Sequence, residues 1–321
     1  MMKLVCVGEV LIDMLAGPAD EQAKPPVLSP FQPHAGGAPA NVAVAVAKLG
    51  GQSALVSHVG DDTFGHYLIN MLNYYQVDTT HVTISPVAKT ALAFVSLDSD
   101  GERSFDFYLD NAAHTLLGPE LTGQVTPGHD DIVHFCSGAV STSLLKDGLM
   151  ALLAQARESG ALVSLDINFR PAFWDSPARA ATEINRVVSH VDIVKTSLEE
   201  LHALYGEDGS EGRIRQWLSG GVAVVLLTDG ANPVRVITAV TDLSVPAPAT
   251  TVKDTTAAGD AFIGGFLSVV ADHAATGDAA REWLQSQDNL AMATHFAARC
   301  GAHAVSQYGA FTALPTAGDV K

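Results

Sequence analysis

From Asp131 onward, four apolar runs, DIVHF (131–135), LVSLDI (162–167), DIVKT (192–196) and VAVVLL (222–227), alternate with stretches of helical spacing over 144–157, 178–189, 197–205 and 212–218. Strands that are apolar at nearly every position are buried on both faces. When helices separate them, they pair as a parallel sheet with helices on either side. Such a sheet binds ligands outside the carboxyl ends of its strands, so the chemistry is expected in the loops that follow these runs. The same rhythm extends toward the N-terminus, with a strand over 4–7 ending at Gly8, a helix over 41–49, a strand over 53–59 and a helix over 64–75. Two segments, around 14–34 and 88–110, break it. Within the second, 91–97 and 104–108 flank Asp98-Ser99-Asp100-Gly101, a hairpin signal. These two segments are expected to form a small β lid over the site, inserted in one α/β domain spanning 1–321.

Composition narrows the function. Eighteen Lys and Arg stand against 35 Asp and Glu, a net charge of −17. That balance argues against sequence-independent binding to nucleic acid or to an anionic membrane surface, both of which need a basic face. No run approaches the ~20 apolar residues of a membrane span. Glu9 and Asp13 interrupt any signal-like apolar stretch near the N-terminus. Cys6, Cys136 and Cys300 are too widely spaced for a disulfide framework or a zinc knuckle. The twelve histidines form no HExxH pattern. A soluble cytoplasmic protein is expected.

Two segments carry chemistry. Asp254-Thr255-Thr256-Ala257-Ala258-Gly259-Asp260 runs directly into the apolar stretch AFIGGFL, so small residues open a helix of about a dozen residues. A helix start presents unpaired N–H groups and a partial positive charge, and small side chains let an anion come close. Asp260 would sit in the first turn beside it. The chain has neither a GxxxxGK[ST] loop nor a GxGxxG after a strand, and beyond 250 its only cations are Lys253, Arg281, Arg299 and Lys321. A phosphate here would therefore depend on backbone donors and a divalent ion. Near the N-terminus, Asp13 follows a strand, and Asn41 opens a helix behind Gly36-Gly37. A carboxylate and an amide suit sugar hydroxyls because they accept and donate in fixed directions. Plainer explanations exist for each: an N-cap with glycine packing, a solvated turn, a helix cap.

GGAPANVAVA (36–45) and DTTAAGDAF (254–262), taken together, resemble the paired signatures of the ribokinase-type (PfkB) carbohydrate kinases. VCVGEVLIDML at the N-terminus, ERSFDFY, HFCSG, SLDINFR, DIVKTSLEEL and VVLLTDG follow in the order seen in bacterial fructokinases. The resemblance spans nearly the whole chain. It implies a ribokinase-like α/β fold with a mostly parallel central sheet, a β lid, and transfer of the γ-phosphoryl group of ATP to a sugar hydroxyl, most simply fructose to fructose 6-phosphate. Asp260 is the implied base, and the N–H groups of Ala257, Ala258, Gly259 and Asp260 the implied anion hole. The resemblance further assigns Asp13, Gly36, Gly37, Asn41, Phe107, Asn168 and Arg170 to the sugar, and Lys195, Thr228, Gly230, Thr255 and Gly259 to ATP. Glu200 would organise Mg²⁺ through water, with Asp254 and Thr256 beside a monovalent cation such as K⁺. A homodimer joined through the lid is also implied.

The chain departs from the family pattern in places. Ala257 replaces a glycine. Ser197 stands where an Asn is common, and Ser197-x-x-Glu200 also reads as a capping box, which alone would explain Glu200. Pro233 interrupts the nucleotide loop, and Leu109 and His114 replace an Arg and an Asp. Ketodeoxygluconate (with Arg103 or Arg170 on its carboxylate), ribose and a nucleoside thus remain alternative acceptors. A silent sugar- or nucleotide-binding regulator is the alternative of another class.

Overall fold

Two apolar layers, one on each face of a long sheet, organise the computed structural model, which describes residues 1–17, 30–97 and 103–320. In chain order, the first half contains β1 (Lys3–Val7), β2 (Leu11–Ala16), β3 (Phe31–Gly36), α1 (Ala38–Lys48), β4 (Ser53–Gly60), α2 (Thr63–Tyr74), β5 (Val82–Ser85), β6 (Leu92–Leu97) and β7 (Arg103–Tyr108). The second half contains α3 (Pro119–Thr122), β8 (Asp131–Cys136), α4 (Ser143–Ser159), β9 (Leu162–Asp166), α5 (Pro177–Val188), β10 (Ile193–Ser197), α6 (Leu198–Tyr205), α7 (Glu207–Ser219), β11 (Val224–Thr228), β12 (Val234–Ile237), β13 (Asp242–Val245), α8 (Ala258–His273), α9 (Gly277–Trp283) and α10 (Gln287–Val305).

Among the described residues, the main sheet runs β13-β12-β11-β10-β9-β8-β1-β4-β5. It is parallel from β5 to β11, and β12 and β13 extend it as an antiparallel edge. Alternate residues of each central strand belong to opposite layers. Leu4, Ile132, Leu162 and Ile193 join the core formed with α1, α8 and α10. Val5, Val133, Val163 and Val194 join the core under α4, α5 and α7. This is why the runs read as continuously apolar: neither face meets water.

The helices follow the same logic. α5 buries Ala180, Ile184, Val187 and Val188, a single stripe at helical spacing. α1 is instead buried at every position from Pro39 to Val46, as befits a helix enclosed by its neighbours. α8 is packed tightly, and the reason lies in the consecutive Gly264 and Gly265. A Cβ on Gly264 would lie 2.7 Å from the Cβ of Ala45 in α1, and one on Gly265 would lie 2.7 Å from the Cys300 Sγ in α10. At 16 residues, α8 is longer than the sequence reading gave.

The two arrhythmic segments pair as a separate four-stranded sheet, β3-β2-β6-β7. Its boundaries differ from the expected 14–34 and 88–110. The first hairpin is in register from Leu11↔Gly36 to Ala16↔Phe31, so the small sheet begins at Leu11, immediately after the loop that leaves β1. β2 pairs with β6 in parallel, and β6 with β7 in antiparallel fashion. Residues 18–29 of the first segment, and the Asp98-Ser99-Asp100-Gly101 turn, lie outside the described residues.

Candidate active site

Because β1, β8, β9, β10 and β11 are parallel neighbours, their carboxyl ends share one edge of the sheet. That edge gathers Gly8 and Glu9 after β1, Ser137 and Gly138 after β8, Ile167 and Asn168 after β9, Ser197 at the end of β10 and Thr228 at the end of β11. Asp260, in the first turn of α8, meets this edge. It is 6% exposed, Asn41 Nδ2 donates to its Oδ2 at 2.7 Å, and Asn168 Nδ2 donates to its Oδ1 at 3.3 Å. Three residues more than ninety positions apart in pairs thus meet at one carboxylate. Asn168 adopts φ 38, a left-handed conformation that Asn tolerates better than most residues.

Behind Asp260 lies a buried ion pair. Lys195 Nζ is 3.0 Å from Asp166 Oδ2, with both side chains almost wholly buried. The two are Cα partners in the β9–β10 ladder, which is why they meet. The ammonium also reaches the anion side, because a Cβ on Gly259 would lie 2.8 Å from Lys195 Nζ. This cation comes from β10, a strand outside the cation-poor stretch beyond residue 250. Burial alone would lower the pKa of Lys195, but Asp166, Glu200 and Asp260 outweigh it and hold the ammonium above its ordinary range. Asp260 is pushed up to about 6, first by burial and then by Asp166, while Asn41, Lys195 and Arg170 oppose the shift.

Ala257, the N-cap of α8, sits at φ 58 and ψ 10 and supplies no side-chain cap. Its carbonyl accepts the N–H of Ala261 at 2.8 Å, and the N–H of Ala258 reaches the Thr255 carbonyl at 3.4 Å. The first-turn amides of Gly259 and Asp260 precede any partner within the helix, so the helix start can receive an anion.

The small sheet contributes a straight row. Register pairs His34 with Asp13, Asp13 with Ala93, and Ala93 with Phe107, and directly paired residues share a face. Asp13 lies across Gly36, where a Cβ would come within 3.0 Å of its carboxyl carbon. Gly37, at φ 104, lets the chain pass against the Glu9 carbonyl and enter α1. Phe107 packs edge-on against Phe173 at 5.3 Å, tying the small sheet to the loop beyond β9. At the other end of the row, the site of a Cβ on Gly309 is 3.6 Å from His34 Nδ1.

The remaining candidates are placed less centrally. Arg170 is exposed, with Nη1 3.4 Å from the Phe169 carbonyl, and its charge is felt by both Asp260 and Glu9. Arg103 opens β7. Thr228 donates to the Thr196 carbonyl at 3.4 Å, and Gly230 turns the chain just beyond at φ 54. The Asp254 carboxylate accepts the N–H of Thr256 at 2.7 Å and of Gly309 at 2.9 Å, bracing the loop before α8 against the C-terminal segment.

Glu200 completes a capping box with Ser197, as its spacing allowed. It does more than cap: Oε2 accepts Ser197 N–H at 2.8 Å and Thr196 Oγ1–H at 3.3 Å, and Oε1 accepts Phe169 N–H at 3.1 Å. Among the described residues no three His, Cys, Asp or Glu side chains cluster as a metal cage. Mg²⁺ commonly keeps much of its water shell and takes few protein carboxylates, a mode that a single Glu200 would suit.

Sequence reasoning missed Asp166, Glu9 and His34. A signal existed for Asp166: LVSLD and IVKTS each carry a single charged residue within an expected buried strand. Glu9 was visible only as a break in an apolar stretch.

The pfkB carbohydrate kinase family model matches residues 1–317. A probable fructokinase-2 of Arabidopsis thaliana is 36% identical over 315 residues, covering 98% of this chain and 93% of its own. The fold is similar to that of a Xylella fastidiosa fructokinase with bound ATP, with a TM-score of 0.90, 37% identity and coverage of 99% of this chain and 96% of that one. It is also similar to a Vibrio cholerae fructokinase bound to fructose, ADP and calcium, with a TM-score of 0.87, 34% identity and coverage of 100% and 98%. With the two signature segments converging on one buried carboxylate and the match running through the whole fold, this chain belongs to the pfkB family of carbohydrate kinases.

Proposed function

We propose that this kinase transfers the γ-phosphoryl group of ATP to a hydroxyl of fructose. The observation that carries the reading is the buried Asp260 carboxylate, held by Asn41 and Asn168 at the uncapped start of α8 with Lys195 beside Gly259. Fructokinase relatives that match the whole chain support fructose as the acceptor.

In this mechanism Asp13, Gly36, Gly37, Asn41, Phe107, Asn168 and Arg170 bound the sugar. Asp260 takes the proton from the attacking hydroxyl. The hydroxyl oxygen bonds to the terminal phosphorus, the bond from that phosphorus to the ADP oxygen breaks, and ADP leaves. Amides of Ala257, Ala258, Gly259 and Asp260, with the Lys195 ammonium, face the charge on the transferring group, where preorganised donors matter most. Thr228, Gly230 and Thr255 lie along the nucleotide. Glu200 would accept from the water shell of a bound Mg²⁺, which would supply neutralisation of phosphate charge, and Asp254 and Thr256 would hold a K⁺ ion. Closure of the small sheet keeps water from the phosphoryl group.

No helix among the described residues is long and apolar enough to cross a membrane. The kinase is taken to act in the cytoplasm on small molecules, as a homodimer joined through the small sheet. Support for the dimer comes from the aromatic ladder Phe31–Phe94–Tyr108, with ring centroids 5.2 and 5.1 Å apart, whose Tyr108 is 66% exposed. Light scattering of the wild type and Tyr108→Lys tests it.

The deciding experiment is ATP consumption with fructose, ribose, ketodeoxygluconate and a nucleoside. Fructose should give a kcat/KM at least about tenfold above the others, a selectivity worth about 1.4 kcal/mol. Turnover confined to ketodeoxygluconate would reassign Arg170 to a carboxylate. Nucleotide binding without turnover on any sugar would mark a silent regulator.

A further inference from the structure

Asp166 has no part in the mechanism above, and with 0% exposure it offers no surface to sugar or nucleotide. It is nonetheless joined through a single residue to each side of the reaction centre. Its Oδ2 accepts from Lys195 Nζ at 3.0 Å, and that ammonium stands 2.8 Å from the place a Cβ on Gly259 would take, at the start of α8. Its Oδ1 accepts the backbone N–H of Asn168 at 3.2 Å, and the Asn168 side chain in turn donates to Asp260. The backbones are locked as well. Asp166 and Lys195 are register partners of β9 and β10, and the Ile167 N–H donates to the Lys195 carbonyl at 2.8 Å. The carboxylate is therefore held by its strand and by the Asn168 turn, and the ammonium is held by the carboxylate.

A lysine ends in a compact charge on a flexible four-carbon stem, so its placement has to come from a partner. Three carboxylates act on the Lys195 ammonium: Asp166, Glu200 and Asp260. Pairing with Asp260 would tie up the group assigned as base, and pairing with Glu200 would draw the charge toward the head of α6. The 3.0 Å bond to Asp166 competes with both and leaves the ammonium beside the amides of α8. Stability alone gives little reason for the pair, because a buried ion pair often does no better than apolar packing of similar volume. We propose that Asp166 is a positioning residue that anchors the Lys195 ammonium against the start of α8, where the terminal phosphoryl group is received. The role rests on the reading of this site as a phosphoryl-transfer centre.

A double-mutant cycle tests the anchor. Asp166→Asn keeps an oxygen for the Asn168 N–H and removes the charge that holds Lys195. Because Asp166 and Lys195 shift Asp260 in opposite senses, kcat is read at about pH 8, above the limb expected near 6. Asp166→Asn should lower kcat about 10–100-fold, the scale of a reacting group displaced by about 1 Å, with fructose KM within about threefold. In a Lys195→Met background nothing is left to anchor, and the same substitution should cost less than about threefold. Equal losses in the two backgrounds overturn the proposal, as does a lowered melting temperature with kcat within about threefold of the wild type. Should Asp166→Asn fail to fold because it strands a buried charge, Asp166→Glu takes its place in the cycle. It keeps the charge, moves the carboxylate by one methylene, and should lose about tenfold in kcat with the same dependence on Lys195. Where the wild type turns over no sugar, or Lys195→Met falls below detection, the cycle is run on ATP affinity by calorimetry without sugar. Asp166→Asn should then weaken ATP about threefold or more with ADP unchanged, and should weaken neither in the Lys195→Met background. Such coupling in a protein with no turnover would sustain the anchor and sink the kinase reading. Additive or absent losses in that binding cycle would sink the anchor.

Discussion

The longer helices of this kinase begin in two ways, and the single-turn α3, which opens on Gly118 without a side-chain cap and carries Glu120 in its first turn, stands apart with α7. α2, α4, α5, α6, α9 and α10 each open on a side chain that accepts from their own first turn: Asp62, Thr142, Ser176, Ser197, Thr276 and Ser286. α1 and α8, which bring Asn41 and Asp260 together, open on Gly37 and Ala257 with no side-chain cap and with positive φ. α7 also opens on a glycine, but it carries Glu207 and Asp208 in its first turn. A self-capped start occupies its own donors and is finished as a piece of structure. An uncapped start leaves donors for something else, and the protein has placed two such starts against one carboxylate. Apart from α6, whose capping Glu200 borders the site, the capped starts lie away from it, and the proposed chemistry falls at the two uncapped starts.

The sharpest way to break this contrast is at Asp260. Asp260→Asn should lower kcat by about 10²–10⁴-fold, the usual scale of general-base assistance, with fructose binding by calorimetry little changed. Near-normal turnover would remove Asp260 from its role. In the wild type, kcat should fall about tenfold per unit below pH 6, because the base is protonated there. The same carboxyl also shapes stability. Its folded pKa of about 6 lies above the ordinary 3.8, so between those values the folded state holds a proton that the unfolded chain has released. Wild-type stability is thus lost as pH rises through this window, and denaturant titrations should show Asp260→Asn gaining about 2–3 kcal/mol relative to it between pH 4 and 7.

Gly259→Ala attacks the other side of the same helix start. Its methyl would stand 2.8 Å from Lys195 Nζ, and Lys195 is tethered to Asp166 and cannot easily move aside. Turnover should fall about 10–100-fold, less than the full loss of one preorganised donor. Unchanged kinetics would show that the phosphoryl group passes elsewhere.

How much of this could be read from the chain itself follows the same division. The central strands, the capping box at Ser197 and Glu200 and the pairing of the two signature segments were legible, because each depends on local pattern or a recurrent motif. The Lys195–Asp166 pair was not, since it exists only once β9 and β10 lie side by side in register. Nor was the start of the small sheet at Leu11, which is fixed by its partner Gly36 across the ladder. The reason for Gly264 and Gly265 inside α8 was not legible either, since only the closeness of Ala45 and Cys300 explains them.

A finished start should behave differently when damaged. Ser286→Ala removes the acceptor for the Asn289 N–H at the head of α10. It should cost about 1 kcal/mol by chemical denaturation, with kcat and both KM values unchanged. A kinetic effect would erase the distinction between the two kinds of helix start.

The smallest expected effect is the most specific. Ala257 holds φ 58, where an L-residue with a Cβ is strained by about 1–2 kcal/mol and glycine is not. Ala257→Gly relieves that strain but frees the unfolded chain, which offsets about 0.4–1 kcal/mol of the gain. Net stability should therefore change by between about 0 and about 1.6 kcal/mol in favour of Ala257→Gly. Turnover should stay within about twofold, about 0.4 kcal/mol, because position 257 contributes only backbone to the site. A large loss of activity in Ala257→Gly would mean that the methyl group itself shapes the anion hole, and the uncapped start of α8 would then owe its function to a side chain after all.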